Sequence, residues 1–244
     1  MSEKKTLNFI STSFPAKSAY DEPVPASSVL PEWYKDLAPY KNGTSTSIKN
    51  LCPINDRGSD GSDVSTKLCM PFLDSMMSGY MLVLPEDVSV EVLPDGKPKI
   101  SWESSAPTVD TRPRVDMAQP SDCYPIHFGW RTNWYYETPP GYSLMFTHPL
   151  NRYDLPFYGL SGIVDSDIWG LPVFLPFFLK KDFNGIIKKG TPIYQVIPIK
   201  RDEWEMNVDY SEDSFWKHKE MEESRRSHIT AHYKKTTWQK KKYK

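Results

Sequence analysis

Proline sets the grain of this chain. Its 22 prolines, against 12 glycines, cut nearly every apolar run short. Proline lacks the backbone donor and fixes φ, so it ends helices and is confined in sheets to edges, strand starts and bulges. Pro23, Pro25, Pro31 and Pro39 break up the first fifty residues, four more prolines lie between residues 106 and 125, and from 139 to 201 proline or glycine punctuates each apolar stretch. With aromatic residues at 14%, this predicts short strands, rigid connections and aromatic packing, hence a mainly β protein.

A length of 244 residues accommodates one large domain or two small ones with a substantial core. A net charge of −1 gives no general attraction to nucleic acid or membrane. No apolar run approaches the ~20 residues that span a bilayer, and the charged opening "MSEKKTLNFI" has no signal-peptide core behind it. The expectation is a soluble, cytoplasmic protein with no membrane partner. Cys52, Cys69 and Cys123 are odd in number and lack C-x-x-C spacing, so they predict reduced thiols and neither a disulfide framework nor a metal site. The N-G-T at 42–44 matches a glycosylation acceptor that has no meaning without secretion.

The pattern divides the chain into a proline-rich N-terminal arm with loops (1–66), a β-rich core (67–209) and a charged C-terminal helix with a basic tail (210–244). In the arm, a short helix is expected at 31–37, with Pro31 in its first turn. The loop at 55–65 carries three aspartates without the spacing or the closing glutamate of a calcium loop. Apolar and polar residues alternate on both sides of "PDGK" at 94–97, a hairpin signal. Beyond residue 209 the composition turns to helix formers and charges, with Ser211 or Asp213 as cap and a helix through 214–232.

The chemistry-bearing stretch is "GIVDSDIWG" at 162–170. If the segment stays extended, Asp165 and Asp167 share one side of it. Their repulsion then raises one pKa or invites a cation, as at a catalytic base or metal site; alternatively both carboxylates accept backbone N–H bonds in a turn. Gly170 and Gly190 suit turns with positive φ, and "VFLPFFL" at 173–179 reads as a strand buried on both faces, in which Pro176 demands an edge or a bulge. His148 and Arg152 offer a grip on an anion, or else His148 caps a turn and Arg152 pairs with Asp154. The aromatic run 127–142 predicts core or subunit contacts, or a base-stacking platform. Neither His127 nor His148 has an aspartate two residues later, which excludes an iron facial triad.

Four segments, "PPGYSLMFTHPLNR", "SGIVDSDIWG", "LPVFLPFFL" and "IKKGTPIYQVI", give residues 140–201 a resemblance to the deoxyuridine triphosphatase and deoxycytidine triphosphate deaminase superfamily. Asp165 and Gly190 lie 25 residues apart and Gln195 falls five after that glycine, as in the superfamily. The resemblance implies a β-clip core of short interleaved strands, a homotrimer, and, in the triphosphatases, an aspartate at the Asp165 position that activates water. The departures are equally specific. Ile168 replaces the tyrosine that packs on deoxyribose, Trp169 replaces an arginine, "THPLNR" replaces the phosphate-handling arginine-serine-glycine motif, and the deaminases' glutamate is absent. Separately, "LPEWYKDL", "CMPFLDSMMSGY" and "THPLNRYDLPF" resemble proteins of tailed bacteriophages and bacteria with no assigned activity, which implies a bacterial or host cytoplasm.

These observations predict a β-clip protein that binds a ligand or partner without catalysis and without a cofactor, with His148, Arg152, Trp169 and Gln195 as ligand-binding candidates. The first alternative is a magnesium-dependent deoxynucleoside triphosphate phosphohydrolase. In it Asp165 is the general base, Asp167 helps hold magnesium, and Arg152 with His148 contacts the phosphates of the nucleotide. The second is a structural or accessory phage protein that docks through its arms. From 217 to 244 ten Lys and Arg face three Glu, a local charge of +7. The last ten residues are expected to be exposed and mobile, available to nucleic acid or an acidic partner.

Overall fold

A computed structural model describes residues 5–12, 22–38, 65–112, 117–226 and 232–244, and these are mainly β. The loop at 55–64, the glycosylation-like triplet, Pro39 and Cys52 lie outside the described residues. Contacts divide the chain into two units: Met1–Val29, Met76–Asp202 and Tyr243–Lys244 form one, Leu30–Ser75 and Glu203–Lys242 the other.

The first unit holds the strands β1 (Asn8–Ser11), β2 (Val24–Pro25), β3 (Tyr80–Val83), β4 (Val88–Val92), β5 (Pro98–Ser101), β6 (Val109–Arg112), β7 (Cys123–Trp130), β8 (Trp134–Glu137), β9 (Tyr142–Thr147), β10 (Phe157–Gly159), β11 (Gly162–Val164), β12 (Leu175–Lys180), β13 (Gly185–Ile187) and β14 (Pro192–Lys200). They pair antiparallel in the orders β1-β8, β10-β12-β7-β6, β11-β9-β14-β3-β2 and β13-β4-β5. The "PDGK" signal forms the β4–β5 hairpin, in which Gly96 takes φ 77° and its N–H bonds Leu93 O at 2.8 Å. Two pieces of the proline-rich segment are sheet strands rather than loop: β1 pairs with β8 and β2 with β3.

β12 departs from the edge-strand expectation. It lies between β10 and β7, with Pro176 opposite Gly129. The proline is tolerated near the strand start because only its carbonyl is needed there, accepting from Leu160 N–H at 2.9 Å, and the bulge falls further on, between Phe178 and Lys180. Gly129 is required opposite it: a Cβ there would sit 1.9 Å from the Phe174 ring. Aromatic residues fill the interior. The Trp130 ring stacks on Phe177 at 4.0 Å and meets Phe157 edge-on at 5.3 Å, while Tyr136 packs on Phe146 at 4.9 Å. The aromatic run 127–142 thus supplies core, with Trp130 and Tyr136 each 1% exposed; such pairs add about 0.5–1.5 kcal/mol each beyond the area they bury. The buried Cys123 thiol is pushed up to about 12, chiefly by burial, which leaves it protonated and inert.

In the second unit, α1 (Glu32–Lys35) starts after Pro31 at φ −67°. Its buried Tyr34 packs on Phe72, and Lys67 Nζ donates to Tyr34 O at 2.7 Å. α2 (Met70–Met77) spans the division between the units. The C-terminal helix forms as α3 (Glu212–Arg226) and α4 (His232–Thr236), and Ser211 Oγ accepts from Ser214 N–H at its start. The described side chains of the last ten residues are exposed as expected, apart from the half-buried Trp238 and Tyr243, which make specific contacts. Trp238 Nε1 donates to both Asp74 oxygens at 3.0 Å, and Lys241 pairs with the same carboxylate. In the first unit, Tyr243 packs on Tyr80 and Tyr80 OH donates to Lys244 O at 3.2 Å. The indole N–H and the phenol ring each find a partner while the neighbouring lysines stay exposed. Among the described residues no helix is long and apolar enough to cross a membrane.

Candidate functional site

The "GIVDSDIWG" segment is β11 followed by a tight turn. Asp165 O accepts from the N–H groups of both Ile168 (3.0 Å) and Trp169 (2.8 Å), and Ser166 Oγ donates to Val164 O at 3.1 Å. The chain therefore bends at Asp165, and the two carboxylates are not brought together by strand alternation. They converge because both face Arg201, one residue past the end of β14. Arg201 Nη1 donates to Asp167 Oδ1 at 2.8 Å, Nη2 pairs with Asp167 Oδ2, and Nη1 lies 3.3 Å from Asp165 Oδ1. Asp167 Oδ2 also accepts from Gly141 N–H at 2.8 Å, and Ser143 Oγ donates to Asp165 Oδ1 at 2.7 Å.

This geometry fixes the sign of the electrostatics. The Arg201 guanidinium, hydrogen-bonded to Asp167, holds that carboxyl down at about 2. The expected repulsion between the aspartates is answered by a protein cation, and the pKa moves down rather than up. Asp167 is sequestered at 7% side-chain exposure, whereas Asp165 keeps 58%. Among the described residues no group of three His, Cys, Asp or Glu is arranged to hold a metal ion. Arg201 and Ser143 were missed in the sequence because their roles depend on β9 and β14 being neighbours, where Lys200 lies opposite Tyr142 and Arg201 N–H bonds Gly141 O at 2.8 Å.

The other candidates lie elsewhere on the same scaffold. His148 Nδ1 accepts from Gly159 N–H at 3.2 Å, so its Nε2 carries the proton donated to Arg152 O at 3.0 Å. Burial holds this ring below the usual histidine pKa. Arg152 is forked onto Asp154, Nε to Oδ1 and Nη2 to Oδ2, each at 2.9 Å. Gln195 is fully buried; its Oε1 accepts from Leu150 N–H at 2.9 Å and its Nε2 donates to Ser78 O at 2.6 Å, tying the 148–154 loop to the chain after α2. In that loop Asn151 takes φ 62°, a left-handed conformation asparagine tolerates. Gly190 takes φ 80°, as a tight turn requires, while Gly170 does not take positive φ.

Trp169 stands apart from these engaged groups. Like Ile163, Ile168 and Leu171 it is an exposed apolar side chain in or beside the turn, Ile168 at 80% and Trp169 at 51% exposure. The turn thus combines a sequestered ion pair, one accessible carboxylate and exposed bulky apolar side chains. No protein-family model and no curated protein matches the chain.

Proposed function

We propose that this is a non-catalytic binding protein whose β-clip core presents the turn at 165–171 to a ligand or partner. The observation that carries the reading is the pairing of Asp167 with Arg201 and Gly141 N–H in a turn whose neighbours Ile163, Ile168, Trp169 and Leu171 are exposed. A carboxylate already satisfied by a guanidinium and a backbone donor is a poor magnesium ligand, since a metal would have to displace both. Large apolar side chains kept in water favour contact with an apolar or aromatic surface. The order of short strands from β9 to β14 and the tight turn at Gly190 support the β-clip assignment of residues 140–201.

One observation favours a phosphohydrolase as second reading. Asp165 is accessible, with a cation 3.3 Å away, as a water-activating base beside a phosphate would be. A panel of deoxynucleoside triphosphates with magnesium, followed by thermal shift and by phosphate release, separates the two. Ligand at a hundredfold excess over Kd stabilises by about 2.7 kcal/mol. The binding-protein reading expects no phosphate release; release abolished by Asp165→Ala overturns it.

A further inference from the structure

Among its described residues, the part of the second unit from residue 203 onward leaves an unusual amount of apolar surface in water. Residues 203–210 belong to no helix or strand, yet their sequence alternates: Trp204, Met206, Val208 and Tyr210 are 90%, 87%, 55% and 93% exposed, and Glu203, Glu205, Asn207 and Asp209 stand between them. Period-two alternation is the pattern of a strand with one covered face, and this segment covers neither face. The first turn of α3 then exposes Phe215 and Trp216 at 59% and 54%. Where this segment meets α3, Tyr210, Phe215, Trp216 and His218 line an open groove of about 720 Å³.

Charge along the same segment is ordered. Within the second unit, residues 203–213 hold five acidic residues and no basic one, and residues 232–242 hold five lysines and no acidic residue. α3 separates the two blocks. Lys234, Lys240 and Lys242 are exposed.

We propose that this segment is a two-fold interface through which a second copy of the chain docks antiparallel. In that arrangement the acidic block of each copy faces the lysine block of the other, twice over, as an isologous contact requires. The exposed apolar row and the α3 aromatics are covered between the blocks, with the grooves receiving apolar side chains of the other copy. Parallel docking sets like charge on like. Pairing of the 203–210 segments alone sets Glu205 against Asp209, which is also repulsive. A nucleic acid matches the lysines but is repelled by the acidic block and leaves the apolar row bare. Lys241 is already paired with Asp74 and Asp202 with Lys200, so the contact rests on Glu203 and Glu205 against Lys234, Lys240 and Lys242, and a second copy answers these together with the apolar row. The inference is independent of the reading of the 165–171 turn.

The test uses the full chain in sedimentation velocity, with light scattering as the second measurement. A dimer at low salt that weakens as salt screens the blocks is expected. Glu203→Lys with Glu205→Lys in one variant, and Lys240→Glu with Lys242→Glu in another, are each expected to weaken dimerisation at least about tenfold, because every symmetric contact is changed twice. All four side chains are exposed, so melting temperature and circular dichroism of each variant should match the parent. Mixing the two variants should restore a dimer, since each reversed block then faces an opposite charge. A monomer at high micromolar concentration in low salt overturns the proposal. So does a trimer, unchanged dimerisation of either variant, or a mixture that stays monomeric.

Discussion

β14 and the residues that follow it present the same kind of sequence in opposite circumstances. β14 is hydrogen-bonded on one side to β3 and on the other to β9, and its residues 192–196 are buried. Residues 203–210 alternate in sequence as a strand does, belong to no strand, and expose Trp204, Met206 and Tyr210 almost fully and Val208 by half. The local pattern is that of a strand in both. What differs is the presence of a neighbouring edge, so β-propensity here reports what a segment can join rather than what it does alone.

The comparison is broken most easily from its buried side. Phe157 is 0% exposed and packs edge-on against both Trp130 and Phe177, so Phe157→Ala is expected to lose about 3–5 kcal/mol in urea unfolding. A loss under about 1 kcal/mol would mean that these sheets do not share one packed core. Next comes Gln195→Leu. It strands Leu150 N–H and Ser78 C=O in the interior, and the expected cost is about 2–3 kcal/mol; a neutral result in the same assay would show that the amide is not what ties the loop down.

The third prediction concerns acid. Asp167 has a folded-state pKa depressed to about 2, below its unfolded value, so its contribution to stability is present above the unfolded pKa and lost as pH falls through the folded one. In thermal melts, Asp167→Asn should lower the melting temperature at neutral pH and show a smaller further decline than the parent between about pH 5 and pH 2. Parallel curves for parent and variant over that range would remove the Arg201 pairing from the account. The smallest effect belongs to the exposed side of the comparison: at concentrations where the chain is monomeric, Trp204→Ala should change unfolding free energy by no more than about 0.5 kcal/mol. A loss of several kcal/mol would place that indole in a core.

What could be read from the sequence was the local part. Pro-Asp-Gly marked a hairpin because its glycine needs φ 77°, and the proline spacing announced short strands. The alternative reading of His148 and Arg152 as a turn cap and an Asp154 pair matches the bonds they make, since both partners are near in sequence. Long-range pairing was not legible. Arg201 meets Asp167 across 34 residues only because β9 is sandwiched between β11 and β14, and Trp238 finds Asp74 across 164. No periodicity encodes such meetings. For the tail, counting lysines pointed to exposure, which the lysines keep, while the partners of Trp238 and Tyr243 were not legible.

The position of β14 has a consequence for how the protein is made. In the sheet ordered β11-β9-β14-β3-β2, the strand between β9 and β3 is the last of the five to leave the ribosome. Until residue 200 has been synthesised, the inward edges of β3 and β9 lack the strand that bridges them. A nascent chain paused before β14 therefore carries two unprotected pairing edges and incomplete apolar burial, the condition in which strands recruit one another between molecules. Synthesis rate over the stretch from 147 to 200, and chaperone capture of chains stalled within it, should govern the yield of native protein more strongly than any substitution on the finished surface.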